Sequence, residues 1–328
     1  MTAAEQSRTA AEIATQPSCW RRAAEAAVDA ADALPRPGER VAVTGCGTSW
    51  FMAQSYAALR EAAGQGETDA FAASEFPVGR AYDRIVAITR SGTTSEVLDL
   101  LAALRGSPGA GGGRGVQGAT PVPPVVALTA APGTPVVKAA DHIAVLDWAD
   151  EESVVQTRFA TTALALLRAG LERHGPLPAG LKPIAEAAVD AELAVTQPLP
   201  EAALTAEQWT FLGRGWAYGL ALEAALKMRE AAGAWTEAYP AMEYRHGPIS
   251  ITGPGRAVWL LGPLPDGLAS DVDRVGGTLL ADSAGTGERS LDPLADLVRA
   301  QRLAVALAEA RGADPDRPRN LTRSVILE

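Results

Sequence analysis

The sequence contains two stretches that share the same landmarks in the same order, and this repetition constrains the fold more than any other feature. The shared landmarks are a Gly-x-Gly segment at the end of a predicted strand, a helix ending in Arg-Glu-Ala-Ala-Gly, and a glutamate followed by an aromatic residue. They are Gly45-Cys46-Gly47, 60–64 and Glu75-Phe76 in the first stretch, and Gly213-Arg214-Gly215, 229–233 and Glu243-Tyr244 in the second. We therefore predict a duplicated α/β unit.

Short apolar strands alternate with amphipathic helices along both stretches. Strands are predicted at 40–44, 69–74, 84–89, 125–129 and 142–147, and then at 209–213, 257–261 and 278–281. Helices are predicted at 9–34 with a break at Gln16-Pro17, and at 49–63, 94–105, 135–140, 151–173, 181–197 and 292–311. Strands rich in β-branched residues that alternate with helices indicate parallel sheets covered on both faces. The predicted fold class is α/β, with two duplicated three-layer units linked by long helices.

The predicted domain boundaries follow from this pattern. The segments are an N-terminal helical segment at 1–35, a first unit at 36–175, a linker helix at 176–200, a second unit at 201–311 and a C-terminal tail at 312–328. The segment 106–124 is rich in glycine and proline. Because such a composition buries little apolar surface, we predict a flexible surface insertion within the first unit.

Charge and composition argue against several classes of function. The 328 residues include 29 basic and 39 acidic side chains, for a net charge of −10, and contain no basic run, so we expect no nucleic-acid partner. The two cysteines, Cys19 and Cys46, cannot form a disulfide framework and are typical of the cytoplasm. Three histidines that lie far apart predict no metal site, and we expect no cofactor. No signal peptide and no apolar run of about 20 residues is found, so we expect no membrane association.

Three ionisable residues, Glu223, Lys227 and Glu230, lie at i, i+4 and i+7, which places them on one face of a predicted helix. The loop that follows carries Glu243 and His246. Carboxylates, an amine and an imidazole brought together in this way can move protons at neutral pH. An ordinary helical ion pair would produce the same spacing of Glu223 and Lys227. From the spacing alone, both interpretations stay open.

Two loops rich in glycine and hydroxyl side chains follow predicted strands, at 45–49 (GCGTS) and at 89–94 (TRSGTT). Glycines allow a tight turn, and the start of the next helix presents free N–H groups that suit a phosphate. The first loop is not a dinucleotide fingerprint, because Trp50 stands where the third glycine would be. Adjacent parallel strands would direct both loops to one point. Alternatively, Ser91 or Thr93 is simply a helix N-cap.

These segments, together with several others, resemble the sugar isomerase (SIS) family of phosphosugar-binding domains. The similar segments are EIATQP at 12–17, GCGTS at 45–49, ASEF at 73–76, SGTT at 91–94, LGRGWAYGLALEAALKMRE at 212–230, EAYPAMEYRHGP at 237–248 and PRNLTRSVILE at 318–328. The tandem arrangement is similar to the isomerase half of glutamine–fructose-6-phosphate amidotransferase. The resemblance covers nearly the whole chain in order.

The resemblance implies roles for individual residues. Those implied to bind the sugar phosphate are Gly47, Thr48, Ser49, Thr89, Arg90, Ser91, Thr94, Gln156 and Arg323. Glu230 matches the general base that moves a proton between C1 and C2, while Glu223 and Lys227 line the site. His246 matches a residue that assists ring opening from the neighbouring subunit, which implies a homodimer. The tail is implied to close over the site.

The sequence also departs from the family pattern. Arg323 stands where the family has a lysine, and a guanidinium cannot form a Schiff base with a ketose. No cysteine lies near residue 1, so glutamine is not expected to donate ammonia. We therefore predict an amino-sugar 6-phosphate enzyme that acts by ring opening and C2-proton abstraction, ending in isomerisation and deamination. The alternatives are a dehydratase that eliminates the C3 hydroxyl of N-acetylglucosamine 6-phosphate, and a non-catalytic phosphosugar sensor.

Overall fold

The computed structural model describes residues 6–106, 123–282 and 290–327. The predicted insertion at 106–124 falls outside these ranges except at its ends, so its flexibility stays a prediction. Among the described residues, no helix is long and apolar enough to cross a membrane.

The first sheet has five parallel strands and confirms the predicted α/β class. Its strands are β1 (Val41–Gly45), β2 (Thr68–Ala72), β3 (Arg84–Ile88), β4 (Val125–Thr129) and β5 (His142–Val145), in the order β2-β1-β3-β4-β5. Every residue of β1, β3 and β4 is buried, as expected for β-branched strands covered on both faces.

Among the described residues, six α-helices lie in the first half of the chain. They are α1 (Arg8–Ala14), α2 (Gln16–Asp29), α3 (Thr48–Ala62), α4 (Ser95–Leu104), α5 (Val136–Ala139) and α6 (Arg158–His174). The prediction that α6 starts at residue 151 was wrong, because residues 150–157 are irregular and the helix begins at Arg158. The Glu151 side chain reaches forward and caps the N-terminus of this helix. Its carboxylate accepts hydrogen bonds from the backbone N–H groups of Thr157 at 2.5 Å and Arg158 at 2.8 Å.

The second sheet has four parallel strands. They are β6 (Gln208–Gly213), β7 (Thr236–Pro240), β8 (Arg256–Leu261) and β9 (Thr278–Ala281), in the order β7-β6-β8-β9. Three of these were predicted. β7 was not predicted, because it is a half-buried edge strand that ends in a proline and lacks the apolar run of a central strand.

In the second half of the chain, the described residues form five α-helices. They are α7 (Ile184–Thr196), α8 (Glu201–Thr205), α9 (Ala217–Ala232), α10 (Leu268–Arg274) and α11 (Pro293–Ala310). α9 ends as predicted at Gly233, whose φ of 57° forms a left-handed C-cap.

The two halves meet where α3 packs against α9. A Cβ atom at Gly219 would lie 2.3 Å from Oγ of Ser55 and 2.4 Å from the carbonyl oxygen of Phe51, so a larger residue there would clash with the α3 backbone. Residues of both halves, including Trp20 and Trp259, belong to one buried apolar cluster. This close crossing places the charged face of α9 beside the first-sheet loops.

Candidate active site

The first loop turns from β1 into α3 through two glycines with different tasks. A Cβ atom at Gly45 would lie 2.6 Å from Cβ of Ser49 and 3.0 Å from the carbonyl oxygen of Ile88, so the strand end can approach the helix only without a side chain. Gly47 has a φ of 54°, which favours glycine. α3 therefore begins at Thr48, with its free N–H groups at the carboxyl edge of the sheet.

The second loop turns from β3 into α4 and is fixed by its own hydroxyl groups. Gly92 has a φ of 64°, and a Cβ atom there would lie 2.1 Å from Oγ1 of Thr134. The Gly92 N–H donates to Oγ1 of Thr89 at 3.3 Å. The hydroxyl of Thr93 donates to Oγ of Ser91 at 3.0 Å. These contacts gather small polar groups at the start of α4.

Both loops line one cavity of about 210 Å³, which confirms the prediction that they meet. The cavity contains every residue predicted to bind substrate: Gly47, Thr48, Ser49, Thr89, Arg90, Ser91, Thr94, Gln156 and Arg323. Glu230 of α9 lines it as well. The fold thus brings together three distant parts of the chain: the loops of the first sheet, α9 and the tail.

Three charged side chains of α9 form a path from the buried core to this cavity. The side chains of Glu223 and Lys227 are 0% and 1% exposed, and that of Glu230 is 19% exposed. Nζ of Lys227 lies 3.4 Å from Oε1 of Glu223 and pairs directly with Oε2 of Glu230. It also donates to Oγ1 of Thr48 at 3.0 Å. Lys227 therefore joins α9 to the first loop.

The buried positions of Glu223 and Lys227 shift the pKa values of both side chains. Burial, opposed by the Lys227 ammonium and reinforced by the Glu230 carboxylate, raises the pKa of Glu223 to about 8. Among the described residues, neither carboxylate oxygen of Glu223 has a hydrogen-bond partner of normal geometry. Burial acts to lower the pKa of Lys227, but the two carboxylates outweigh it and raise that pKa. The site thus holds a charged ammonium beside a carboxyl group that titrates near neutral pH.

Comparisons with known proteins agree with this geometry. No family model matches the sequence. Over 368 aligned residues the chain is 29% identical to a glutamine–fructose-6-phosphate aminotransferase (isomerizing) of Xanthomonas campestris pv. campestris, a match that covers 97% of this chain and 58% of the relative. The chain therefore spans little more than half the length of that relative.

Solved structures share the whole fold. A glucosamine-6-phosphate deaminase of Thermotoga maritima matches with a TM-score of 0.77 and 24% identity, and the match covers 98% of this chain and 100% of that one. A tagatose-6-phosphate ketose/aldose isomerase of Escherichia coli matches with a TM-score of 0.76 and 19% identity over 98% of this chain and 96% of that one. A glutamine–fructose-6-phosphate aminotransferase (isomerizing) of Symbiobacterium thermophilum is 30% identical over 373 aligned residues, which cover 97% of this chain and 58% of that relative. This chain belongs to the SIS-domain phosphosugar isomerase family.

One predicted catalytic residue of this SIS chain, His246, lies apart from the others. It is exposed, at the end of the short 3₁₀ helix Glu243–His246. In the described part of the chain it is not among the residues that line the cavity. The reason is its position after β7, the edge strand of the second sheet. Within this chain, His246 therefore does not line the cavity together with Glu230, and its contribution from a neighbouring subunit stays a prediction.

Two of the predicted substrate-binding residues of this SIS chain direct their guanidinium groups toward protein acceptors. Arg90 is buried and pairs with Glu151 at 3.3 Å. Arg323 pairs with Asp150 and donates to the carbonyl oxygen of Glu151. Both arginines thus bind the segment 150–157, which precedes α6.

The sequence analysis missed Ser324, although the hydroxyls of the second loop converge on it. Its Oγ lies 3.1 Å from Oγ of Ser91, 3.1 Å from Oγ1 of Thr93 and 3.4 Å from Oγ1 of Thr94. Ser91 and Ser324 are 233 positions apart. The available signal was the hydroxyl beside Arg323 in the tail, but no spacing rule links it to a loop so far away.

Among the described residues, the cavity of this SIS chain favours neither a cysteine nucleophile nor a site for a metal ion. Cys46 also lines the cavity, but burial raises the pKa of its thiol to about 11, so the thiolate form is scarce near neutral pH. Among the residues that the structure describes, no group of three His, Cys, Asp or Glu side chains is placed to hold a metal ion.

Proposed function

We propose that this SIS chain is an enzyme that converts an amino-sugar 6-phosphate by opening its ring and moving the proton at C2. The observation that carries the proposal is the position of Glu230, whose carboxylate lines the same cavity as the two hydroxyl-rich loops. A sugar held at the loops by its phosphate would extend toward α9. A carboxylate in that position has the chemistry of a general base.

The phosphate is proposed to bind at the two loops. Ser49, Ser91 and Thr94 would supply hydroxyl donors there. The first turns of α3 and α4 would supply backbone N–H groups and the positive ends of two helix dipoles. Such neutral donors suit an acidic protein that binds an anion, since they need no cluster of free cationic side chains.

Glu230 is proposed to take the C2 proton of the open-chain sugar and return it at C1. Lys227, in contact with Glu230, would hold the carboxylate in place and offset the negative charge that develops on the 2-amino enolate intermediate. With a free amine at C2, the resulting imine would be hydrolysed by water to a ketose and ammonia. With an acetylated amine, the same enolate would expel the C3 hydroxyl as water.

We also infer that the two α/β units, at 36–175 and 201–311, are copies of each other. The first four strands of each have the same order, β2-β1-β3-β4 and β7-β6-β8-β9. One contact recurs as well. The Arg60 guanidinium donates to Oγ1 of Thr68 at 2.8 Å, and Arg229 donates to Oγ1 of Thr236 at 3.2 Å. Each arginine thereby joins the helix of its unit to the first residue of the edge strand.

A homodimer is part of the proposal. His246 is exposed and lies apart from the cavity of its own chain. We infer that a second copy supplies this imidazole, which would move the proton between ring oxygen and carbonyl oxygen during ring opening.

Product analysis tests the proposal. Purified protein is incubated separately with glucosamine 6-phosphate, N-acetylglucosamine 6-phosphate and fructose 6-phosphate, and the products are followed by NMR together with an ammonia assay. We expect ketose and ammonia from the free amine. An unsaturated product from the acetylated sugar would identify the dehydratase instead. If all three sugars bind unchanged, the protein is a phosphosugar sensor and the enzymatic proposal is wrong for these substrates.

A further inference from the structure

Arg90 joins three separate segments at the rim of the cavity. Its side chain is 5% exposed. Nη1 donates to Oε2 of Glu151 at 3.3 Å and to the carbonyl oxygen of Ser153 at 3.2 Å. Nη2 donates to the carbonyl oxygens of Val154 at 3.3 Å and of Arg323 at 3.2 Å. One guanidinium therefore links the second loop, the segment 150–157 and the C-terminal tail.

Arg323 makes the complementary contact from the tail. Its guanidinium pairs with the Asp150 carboxylate and donates to the carbonyl oxygen of Glu151. Its own carbonyl oxygen accepts from Arg90. The tail is thus tied to the segment 150–157 directly through the Arg323 side chain. Its backbone is tied to Arg90, which itself contacts that segment.

The end of the tail, from residue 321 to residue 327, has little apolar anchorage. The side chains of Val325, Ile326 and Leu327 are 52%, 68% and 62% exposed. Its remaining contacts with α4 are polar: the Ser95 N–H donates to the carbonyl oxygen of Val325 at 3.2 Å, and the Leu327 N–H donates to Oγ of Ser95 at 2.9 Å. Because burial contributes little here, polar contacts determine whether the tail stays docked.

We propose that Arg90 and Arg323 form an arginine clamp, a pair of positioning residues that holds the tail and the segment 150–157 together above the second loop. The clamp places Gln156 from one segment and Ser324 from the other at the cavity. Arginine suits the task because its planar fork can serve four acceptors at once, whereas lysine offers a point charge and glutamine two donors. The clamp rests on the proposed function only for the identity of the ligand that it encloses.

Trypsin digestion of the full chain tests the clamp, because docking should shield the bond after Arg323. Release of the peptide 324–328 is followed by intact mass. We expect Arg90→Gln to speed release about tenfold, since four acceptors lose most of their donors and two of these acceptors are buried. Arg90→Lys should be intermediate, and Asp150→Asn should speed release less. Arg105→Gln, which removes a surface pair with Asp141, is the control and should match the wild type.

Equal release rates for Arg90→Gln and the wild type would overturn the clamp. Thermal melting of each variant shows whether it is folded, and Arg90→Lys and Asp150→Asn carry the same test if Arg90→Gln does not fold.

A second arm adds inorganic phosphate. We expect phosphate to slow release in the wild type and to have a weaker effect in Arg90→Gln, a difference that a purely structural role would not produce. If phosphate has no effect on the wild type while Arg90→Gln still speeds release, the clamp stands and the phosphate site of the proposed function fails. If phosphate slows release equally in both proteins and their basal rates agree, the phosphate site stands and the clamp fails.

Discussion

Helices α3 and α9 start in the same way and contribute different chemistry to the cavity. Each follows the end of the first strand of its unit, and each is preceded by a glycine with positive φ, 54° at Gly47 and 56° at Gly215. α3 then carries Thr48 and Ser49 in its first turn, whereas α9 begins with Ala217 and has no short hydroxyl side chain there. Of these two turns, only the one before α3 therefore combines the glycine turn with hydroxyl donors, which is why the phosphate is proposed to bind there.

The central parts of the two helices differ as well. α9 buries Glu223 and Lys227 completely, while α3 buries Tyr56 and Leu59 on its corresponding stretch. The charges of α9 act on the cavity because the helices cross closely at Gly219. In the proposed site, α3 therefore supplies neutral donors for a phosphate, and α9 supplies the titratable groups.

The largest effect that we expect concerns the buried charges of α9. Lys227→Met leaves two carboxylates without their cation and should lower the free energy of unfolding by about 3–5 kcal/mol. Lys138→Met on α5, which removes an exposed lysine, is the control. Urea denaturation at pH 9, where Glu223 is ionised, measures the difference. A change no larger than that of the control would show that Lys227 does not compensate these carboxylates.

The pH dependence of stability should show a smaller effect from the same helix. The pKa of Glu223 is raised from 4.5 to about 8 in the folded chain, so the folded state holds this proton more tightly than the unfolded state. Its contribution to stability is complete below pH 4.5 and is lost as the pH rises toward 8, with a slope of up to about 1.4 kcal/mol per pH unit. Glu223→Gln should flatten this slope in urea denaturation at several pH values, while Glu201→Gln on α8 should keep it. A slope unchanged by Glu223→Gln would contradict the assignment.

The smallest effect that we expect is a change in phosphate affinity, which should differ between the glycine turns that precede α3 and α9. Ser49→Ala, in the first turn of α3, should weaken the binding of inorganic phosphate about tenfold, because a hydrogen bond to a charged group is lost. Arg214→Ala, in the corresponding turn of the second unit, should leave the affinity unchanged. Isothermal titration calorimetry measures both variants. Equal weakening in the two variants would show that the second turn also binds the anion.

Local patterns in the sequence were sufficient for most of the fold. Buried strands such as β4 and the C-cap at Gly233 follow from apolar runs and from turn chemistry. The start of α6 could not be predicted from such patterns, because the helix is capped by the side chain of Glu151, which reaches several residues forward. β7 was missed because an edge strand needs no apolar run.

The candidate site was predictable to the extent that adjacent strands bring their loops together. The helical spacing of Glu223, Lys227 and Glu230 also indicated one charged face. Contacts of the tail were not predictable, since the donors of Arg90 and the hydroxyl of Ser324 meet partners more than 200 positions away. No local pattern encodes such a meeting.

The role of Glu230 can be measured directly by exchange of the C2 proton. The wild type, Glu230→Gln and Glu201→Gln are each incubated with glucosamine 6-phosphate in D2O, and loss of the C2 proton signal is followed by NMR. We expect exchange in the wild type and in Glu201→Gln, and a rate about 10²–10⁴-fold lower in Glu230→Gln, the usual contribution of a general base. Exchange at the wild-type rate in Glu230→Gln would contradict the assignment of Glu230 as the base.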